Sequence, residues 1–380
     1  MKYLFYSILF FSLILSIITG CSDDPNILGI GLIPSQDTLK TFSTSAEVTT
    51  DSTFFYTVIG TSGSIVGFNH DALSNTSQES RGLIQFQGFT VLSETTHVIS
   101  AIVKIPVDYK FKNSTGKIKL NVHEILVSWN EKALTWNHCT PDSFYKRVPD
   151  TTFSADIDTS TNVLMVDIAP VVRRWVKEQT DVPYGILLIP DTLLSDIIVG
   201  TRNSFDTLKV EYRSAGTTAS FSVISTQQSF IANGAVPKSD SIRYIQGGIG
   251  YRELIRFDIS SLPKHAGISQ ATFEVTSDEN SAIKNGYTRD SLVAFLVLDT
   301  TFASLSLGTI CSKSTDGSRT IYSADIRAIV QKWVVRQENY GIALRSYSEG
   351  SSFDRFAVFG KSSQDPSRRP KLKIKYTVLP

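Results

Sequence analysis

The sequence predicts an all-β protein: two tandem β-sandwich domains, jelly-roll-like, each with one short helix. Three observations lead to this prediction. The chain repeats itself, its apolar residues fall mainly in short β-branched or alternating runs, and each copy holds one segment of helical periodicity. The 380 residues suffice for roughly two domains that each bury a core.

The repeat is clearest at two tryptophans in the second part of each copy. An aspartate precedes each tryptophan by eight positions, and Tyr-Gly-Ile and an alternating strand follow it. The matching segments are Asp167, Trp175, Tyr184–Ile186 and Leu208–Tyr212 in the first copy, and Asp325, Trp333, Tyr340–Ile342 and Leu372–Tyr376 in the second. We therefore expect homologous domains at 46–213 and 220–380, joined by a linker near Ser214–Thr218.

Runs typical of strands fill both copies. Gly116–Val122 alternates like a half-buried strand, and Gly185–Ile189 and Leu292–Leu298 are short apolar runs suited to a sandwich core. Each copy also has one apolar stripe at helical spacing. The stripe residues are Ile168, Val171, Val172, Trp175 and Val176, and Ile326, Ile329, Val330, Trp333 and Val334. Asp167 and Asp325 precede these stripes, where a carboxylate caps a helix.

Residues 1–20 have the composition of a secretory signal peptide. Lys2 is followed by an apolar run and by small residues before Cys21. The segment Ile18–Cys21 resembles the lipobox of bacterial lipoproteins, which implies cleavage before Cys21 and acylation of its thiol, palmitate being one such chain. An uncleaved anchor helix is the alternative. Residues 21–45 are then expected to be a tether to the membrane.

The residues after Cys21 bear on location. Ser22-Asp23-Asp24 resembles the acidic export signal of surface-exposed lipoproteins, and a plain solvated start of the tether is the alternative. We therefore expect a protein of the cell envelope, held in the outer membrane by its lipid. Exposure at the cell surface stays open.

The order of the repeated segments resembles the DNRLRE domain. In the second copy the resemblance runs through Leu254–Pro263, Ile268–Ala271, Asp325, Trp333, Tyr340–Ile342 and Arg369–Tyr376. The first copy adds Ser128–Asn137, which is similar to the family's W-x-E-x-x-x-T-W segment. The resemblance implies secreted bacterial β-sandwiches that often accompany polysaccharide-active enzymes, and some members are carbohydrate-binding modules, alginate binders included. The first copy departs from the pattern at Gln85–Gln87, and the second lacks the tryptophan-rich segment, so one copy alone is expected to keep a ligand face.

Charge and motifs exclude several function classes. The chain has 37 Lys and Arg against 36 Asp and Glu, so it lacks the basic excess of a nucleic-acid-binding protein. Its five histidines have no metal-ligand spacing, and no Cys-x-x-Cys or nucleophile motif occurs. The sequence therefore predicts no enzyme activity, no metal and no cofactor, and a hydrolase with carboxylates dispersed along the chain is the alternative. Two interpretations of Cys139 and Cys311 stay open: they form a disulfide between the domains, or they are two free thiols.

Five residues are candidate glycan contacts. Trp129 and Trp136 offer an aromatic platform for a sugar ring, and core packing is the alternative. Arg173, Arg174 and Lys177 are expected on the solvent side of the first helix, where an anionic glycan can dock. A cation-rich last turn that complements the helix dipole is the alternative.

These residues and the signal sequence together predict a function. We expect a lipid-anchored envelope protein that binds extracellular polysaccharide or cell-wall glycan without catalysis. A structural or partner-binding envelope lipoprotein with no glycan ligand is the alternative.

Overall fold

The computed structural model describes residues 40–58, 61–86, 92–180, 183–286 and 288–378. Across these ranges the protein is all-β, with sheets packed around two sandwich cores and with two short α-helices, α1 (Ala169–Lys177) and α2 (Arg327–Arg336). The predicted fold class is therefore confirmed. The predicted signal peptide, Cys21 and most of the predicted tether lie outside the described residues.

The first sandwich takes most of its strands from the first part of the chain. The strands of this part are β1 (Lys40–Ala46), β2 (Val48–Phe55), β3 (Ser64–Asp71), β4 (Thr76–Phe86), β5 (His97–Pro106), β6 (Tyr109–Phe111), β7 (Gly116–Glu124), β8 (Thr151–Ile157), β9 (Val163–Asp167), β10 (Ile186–Pro190), β11 (Ile198–Thr201), β12 (Thr207–Ser214) and β13 (Thr217–Gly234). One layer has the order β9-β5-β12-β13 and the other β6-β11-β3-β4, with β10 pairing β4 and β7, and β8 pairing β7. The long strand β13 runs from the first layer into the second, where it pairs with β4.

The second sandwich repeats this arrangement. Its strands are β14 (Ile242–Gln246), β15 (Tyr251–Phe257), β16 (Gly267–Thr276), β17 (Leu292–Val297), β18 (Leu305–Ile310), β19 (Ser312–Asp316), β20 (Arg319–Asp325), β21 (Ile342–Ser346), β22 (Arg355–Phe359) and β23 (Lys371–Val378). One sheet has the order β1-β23-β16-β20-β19. The other has the order β18-β17-β21-β15-β14-β22, with β2 along β15.

The first strands of the two sandwiches are exchanged. β1 and β2 precede the first sandwich in the chain but pair with β23 and β15 of the second. β13 precedes the second sandwich but pairs with β12 and β4 of the first. Matching pairs are Ile84–Gln228 and Ile255–Asp51 at one end, and Leu208–Val223 and Leu372–Ala46 at the other. Gln228 and Asp51 are 177 positions apart in the chain (228 − 51), and so are Val223 and Ala46 (223 − 46). The two exchanged segments therefore occupy equivalent positions in the two sandwiches.

The exchange corrects the expected domain boundaries. Residues 40–45, expected in the tether, lie in β1, and residues 48–55, expected in the first domain, form β2 of the second sandwich. The expected linker at Ser214–Thr218 is a hairpin between β12 and β13, in which Ala215 and Gly216 both have positive φ. The physical reason is that a strand sequence specifies a pleated, half-buried surface, not which of two equivalent sheets receives it.

Both predicted helices are present, with their apolar stripes buried. Trp175 is 2% exposed and Trp333 is 1% exposed. Asp167 accepts a hydrogen bond from the backbone N–H of Ala169 at 2.8 Å, and Asp325 binds the start of α2 in the same way. Each aspartate precedes the N-cap residue by one position and still satisfies a free N–H of the first turn. Within the described ranges, neither helix has the length and apolar character needed to cross a membrane.

The repeated Tyr-Gly-Ile marks a close approach of two backbones. Gly185 has φ +99°, and a Cβ built on it would lie 2.1 Å from the carbonyl oxygen of Ile84. Gly341 has φ +100°, and a Cβ built on it would lie 2.7 Å from the carbonyl oxygen of Ile255. Glycine is therefore required at this position of both copies.

Candidate functional site

The two sandwiches share a buried group of side chains, here called the junction cluster. Its fully buried members are Ile65, Tyr109, Phe111, Ile198, Phe230, Ile249 and Phe353. The Tyr109 hydroxyl donates to Asp354 Oδ1 at 3.1 Å and accepts from the backbone N–H of Phe353 at 2.8 Å. Burial, with the Asp354 carboxylate beside it, raises the pKa of Tyr109 above its ordinary value. These contacts fix loops of the two sandwiches against each other.

A cleft of about 780 Å³, here called the junction cleft, opens beside this cluster. Its walls are residues 107–110, 112–114, 159–162 and 202–203 of the first sandwich and 284–286 of the second. Four cationic side chains line it, Lys110, Lys112, Arg202 and Lys284, among many amide and hydroxyl groups. Asp108 is the one carboxylate among the described residues that line it.

The cations of the junction cleft are held in different ways. Lys110 Nζ donates to the backbone carbonyl of Asp158 at 2.5 Å, which orients the ammonium without neutralising it. Arg202 Nε donates to the carbonyl of Ser351, across the boundary between the sandwiches, at 2.9 Å. Lys112 and Lys284 have carboxylate partners outside the cleft. The Lys110 ammonium therefore stays without a carboxylate partner among the described residues, whereas the charges of Lys112 and Lys284 are paired.

Two further groups give the junction cleft a fixed shape. The Asp108 carboxylate accepts from the backbone N–H of Arg202 at 2.8 Å and from the Thr201 hydroxyl at 3.2 Å, so it holds its own loop. Asn285 of the second sandwich donates its amide N–H to the carbonyl of Lys110 at 3.0 Å. Its backbone N–H donates to Asp354 at 3.3 Å. The wall from the second sandwich is thus tied to the wall from the first.

A second cleft between the sandwiches, here called the aromatic cleft, has a volume of about 300 Å³. The ends of the exchanged strands β2 and β13 line it, together with residues 135–137 and 248–249. Trp136 and Phe55 supply aromatic rings, and Asn137 and Asn233 supply side-chain amides. None of the described residues in its lining is charged.

The two predicted platform tryptophans lie in the segment between β7 and β8. Both pack against a small cluster on the outer face of the first sandwich. The Trp129 indole N–H donates to the carbonyl of Tyr184 at 2.9 Å. Trp136 lies in a short 3-10 turn with the Arg81 guanidinium 4.1 Å from its ring centroid. Both tryptophans therefore have a packing role, and Trp136 in addition lines the aromatic cleft.

Of the three predicted cations of α1, Arg173 and Lys177 are exposed, whereas Arg174 is half-buried in ion pairs. Arg174 binds Glu124 through Nε and Asp150 through Nη2, both at 2.7 Å, and its side chain is 24% exposed. This corrects the expectation that Arg174 faces solvent, and the reason is that the β7–β8 segment brings Asp150 beside α1. Arg173 donates to two backbone carbonyls of β5, and Lys177 is exposed in the last turn.

Cys139 and Cys311 are free, buried thiols in separate clusters. Desolvation raises the pKa of each thiol to about 12, so both stay protonated at neutral pH. Of the two readings left by the sequence, the free thiols are correct. Within the described ranges, no group of three or more His, Cys, Asp or Glu side chains is arranged to hold a metal ion.

Sequence reasoning missed the residues of the junction cleft. Lys110 and Lys284 lie far apart in the chain and follow no shared spacing. The sequence feature that could have indicated the cleft is the composition of loops such as Thr159–Asn162, which are rich in hydroxyl and amide side chains. That composition is typical of turns in general and does not by itself indicate binding.

Comparison with known proteins assigns no family. No family model matches the chain, and no curated protein matches it. Among solved structures, one titled BspA_C_mut is 8% identical over 86% of this chain and 92% of its own, with a TM-score of 0.14. The VP2 subviral particle of infectious bursal disease virus is 9% identical over 90% of this chain and 77% of its own, with a TM-score of 0.11. Similarity at this level does not establish a shared fold or a shared function. The resemblance to the DNRLRE domain stays a prediction.

Proposed function

We propose that this protein is a non-catalytic, lipid-anchored envelope protein that binds extracellular acidic polysaccharide in the junction cleft. One observation carries the proposal. The junction cleft combines four cationic residues, of which Lys112 and Lys284 are ion-paired, with amide and hydroxyl groups, and its carboxylate, Asp108, is engaged with its own loop.

The chemistry of the cleft suits sugars that bear carboxylate or sulfate groups. Lysine and arginine attract such groups, and the charge-assisted hydrogen bonds they form are stronger than neutral ones. Amide and hydroxyl side chains, including Asn113 and Asn203, match the hydroxyl groups of the sugar. A volume of about 780 Å³ is within the usual range of ligand clefts.

The lining of the clefts supports binding over cleavage. Glycoside hydrolysis generally uses two carboxyl groups roughly 5–10 Å apart on either side of the scissile bond. The described lining of the junction cleft contains Asp108 alone, and that of the aromatic cleft contains no carboxylate.

The envelope location rests on the sequence. The lipobox-like segment before Cys21 supports acylation, and two or more acyl chains hold a protein stably on a membrane. The resemblance to DNRLRE domains supports an extracellular, glycan-directed role for both sandwiches.

The test measures binding of polygalacturonate and alginate oligomers to the chain from residue 22 by calorimetry and by affinity gel electrophoresis. The variant Lys110→Gln/Lys112→Gln removes two positive charges from the cleft. The matched control Lys371→Gln/Lys375→Gln removes the same charge from β23, outside the cleft. We expect the cleft variant to lose at least tenfold in affinity, about 1.4 kcal/mol, and the control to stay within about twofold because distant charges are screened by salt.

Two outcomes contradict the proposal. One is no binding of any acidic polymer by the unaltered chain. The other is an equal loss of affinity in the cleft variant and the control. The first outcome favours the partner-binding alternative, in which capture of an envelope protein does not depend on glycan, and the second removes the junction cleft as the binding site.

A further inference from the structure

We propose that the aromatic cleft is a second saccharide site, which takes an uncharged sugar ring. The proposal rests on the glycan-binding function proposed above. It concerns a different cleft and a ligand of different charge, so the two can fail separately.

The aromatic cleft is a product of the strand exchange. Phe55 ends β2, which the N-terminal segment donates to the second sandwich, and residues 230–233 belong to β13, which is donated to the first. The two exchanged strands therefore meet at this cleft. The β7–β8 segment, present in the first sandwich, adds Trp136 to the wall.

The aromatic walls are held in fixed orientations. The Arg81 guanidinium lies 4.1 Å from the Trp136 ring centroid, and Arg81 Nε is itself held by Glu79 at 2.8 Å. Phe55 contacts Tyr251 edge-on at a centroid distance of 5.8 Å, yet 56% of Phe55 is exposed. An exposed aromatic ring in a concave site is typical of a ligand-binding surface rather than of a satisfied core.

Uncharged polar groups complete the cleft. The Asn137 side chain makes no hydrogen bond with any described residue, so its amide is available to a ligand. Asn233 accepts from the backbone N–H of Gly234 at 2.9 Å through Oδ1, which orients its amide. Thr57 and Thr135 add hydroxyl groups to the lining.

This combination matches one ligand chemistry. A pyranose ring has a face of C–H groups, which packs on an aromatic ring, and an edge of hydroxyl groups, which amides bind. Because no described residue of the lining is charged, a uronate carboxylate would be desolvated there without a cationic partner, at considerable cost. A volume of about 300 Å³ is at the small end of ligand pockets. The site therefore fits a short neutral stretch of glycan, whereas the junction cleft fits an acidic one.

The experiment is calorimetry on the chain from residue 22 with neutral β-1,4-linked hexasaccharides of glucose, xylose, mannose and N-acetylglucosamine. Phe55→Ala removes the exposed ring from the cleft. The matched control is Phe205→Ala, which removes a ring that is 63% exposed and lies outside both clefts. We expect Phe55→Ala to weaken the binding of the best neutral hexasaccharide at least tenfold and to leave polygalacturonate binding unchanged. Phe205→Ala should change neither affinity.

A second variant and a second ligand keep the outcomes distinct. Trp136→Ala should give the same selective loss, and if it does not fold, Phe55→Ala decides alone. Failure of all four neutral hexasaccharides to bind, or equal affinities for Phe55→Ala and Phe205→Ala, overturns the second site. The junction cleft is judged separately, by polygalacturonate and the Lys110→Gln/Lys112→Gln variant.

Discussion

Glu124 accepts a hydrogen bond from the indole N–H of Trp175 at 2.6 Å. In the second sandwich Leu296 occupies the matching register position. There the indole nitrogen of buried Trp333 has no hydrogen-bond partner among the described residues. Both copies keep a buried tryptophan at the equivalent position of the helix. Among the described residues, the indole N–H of Trp175 has a side-chain acceptor and that of Trp333 has none.

Glu124→Leu should therefore destabilise the protein. It removes the acceptor of Trp175 and one of the two carboxylate partners of Arg174, and leaving a buried donor unsatisfied costs about 1–3 kcal/mol. Glu124→Gln keeps an acceptor oxygen and should cost less. Urea denaturation measures both, with Glu94→Leu on an exposed turn as the control. A Glu124→Leu variant as stable as this control would contradict the role given to Glu124.

Gly185→Ala and Gly341→Ala should each lower the free energy of unfolding by at least about 2 kcal/mol, because each combines positive φ with a close backbone contact. Gly216→Ala is the matched control. Gly216 has φ +82° but nothing within 4 Å of a built Cβ, so backbone strain alone acts there and the loss should be smaller. Thermal and urea unfolding give the comparison, and equal losses at all three positions would rule out the contact as the cause.

Asp206 should make stability depend on pH. Ser64 donates to its Oδ1 at 3.0 Å, Oδ2 has no partner among the described residues, and burial raises the pKa of the carboxyl to about 7. The folded protein thus keeps this proton to a higher pH than the unfolded chain, in which an aspartate has a pKa of about 4. The contribution of Asp206 is therefore fully present below pH about 4 and is lost as the pH rises to about 7.

Asp206→Asn isolates this contribution because the amide does not ionise. The free energy of unfolding of the variant, minus that of the unaltered protein, should rise from pH 4 to pH 7 and then level off. Urea denaturation at pH 4, 5, 6, 7 and 8 measures it. A difference that does not change with pH would contradict the buried, raised pKa of Asp206.

Local sequence patterns were sufficient to predict the fold class and the helices. The stripes that include Trp175 and Trp333 have a periodicity that depends on the segment itself, so burial follows directly from spacing. The repeated Tyr-Gly-Ile was visible as well, although its reason, the approach of Gly185 to the backbone of Ile84, needed the structure.

The partners of strands and the composition of clefts were not predictable in this way. Ser43 and Ser220 lie in strands of similar polar, alternating sequence. The local sequence of these strands does not indicate with which sandwich each of them pairs. The junction cleft joins Lys110 to Lys284 through tertiary packing of separate loops. Arg174 was expected in solvent because its partner Asp150 belongs to another segment of the chain.

The aromatic cleft exists because the sandwiches exchange strands, and disulfide mapping tests this exchange most directly. Ser43 pairs with Lys375 and Ser220 with Glu211, at separations that suit a disulfide in an antiparallel pair. Ser43→Cys/Lys375→Cys and Ser220→Cys/Glu211→Cys should each oxidise to an intramolecular disulfide, detected by thiol titration and peptide mapping. The crossed pairs Ser43→Cys/Glu211→Cys and Ser220→Cys/Lys375→Cys should stay reduced. Oxidation of the crossed pairs in place of the direct ones would contradict the exchange, and with it the account of the aromatic cleft.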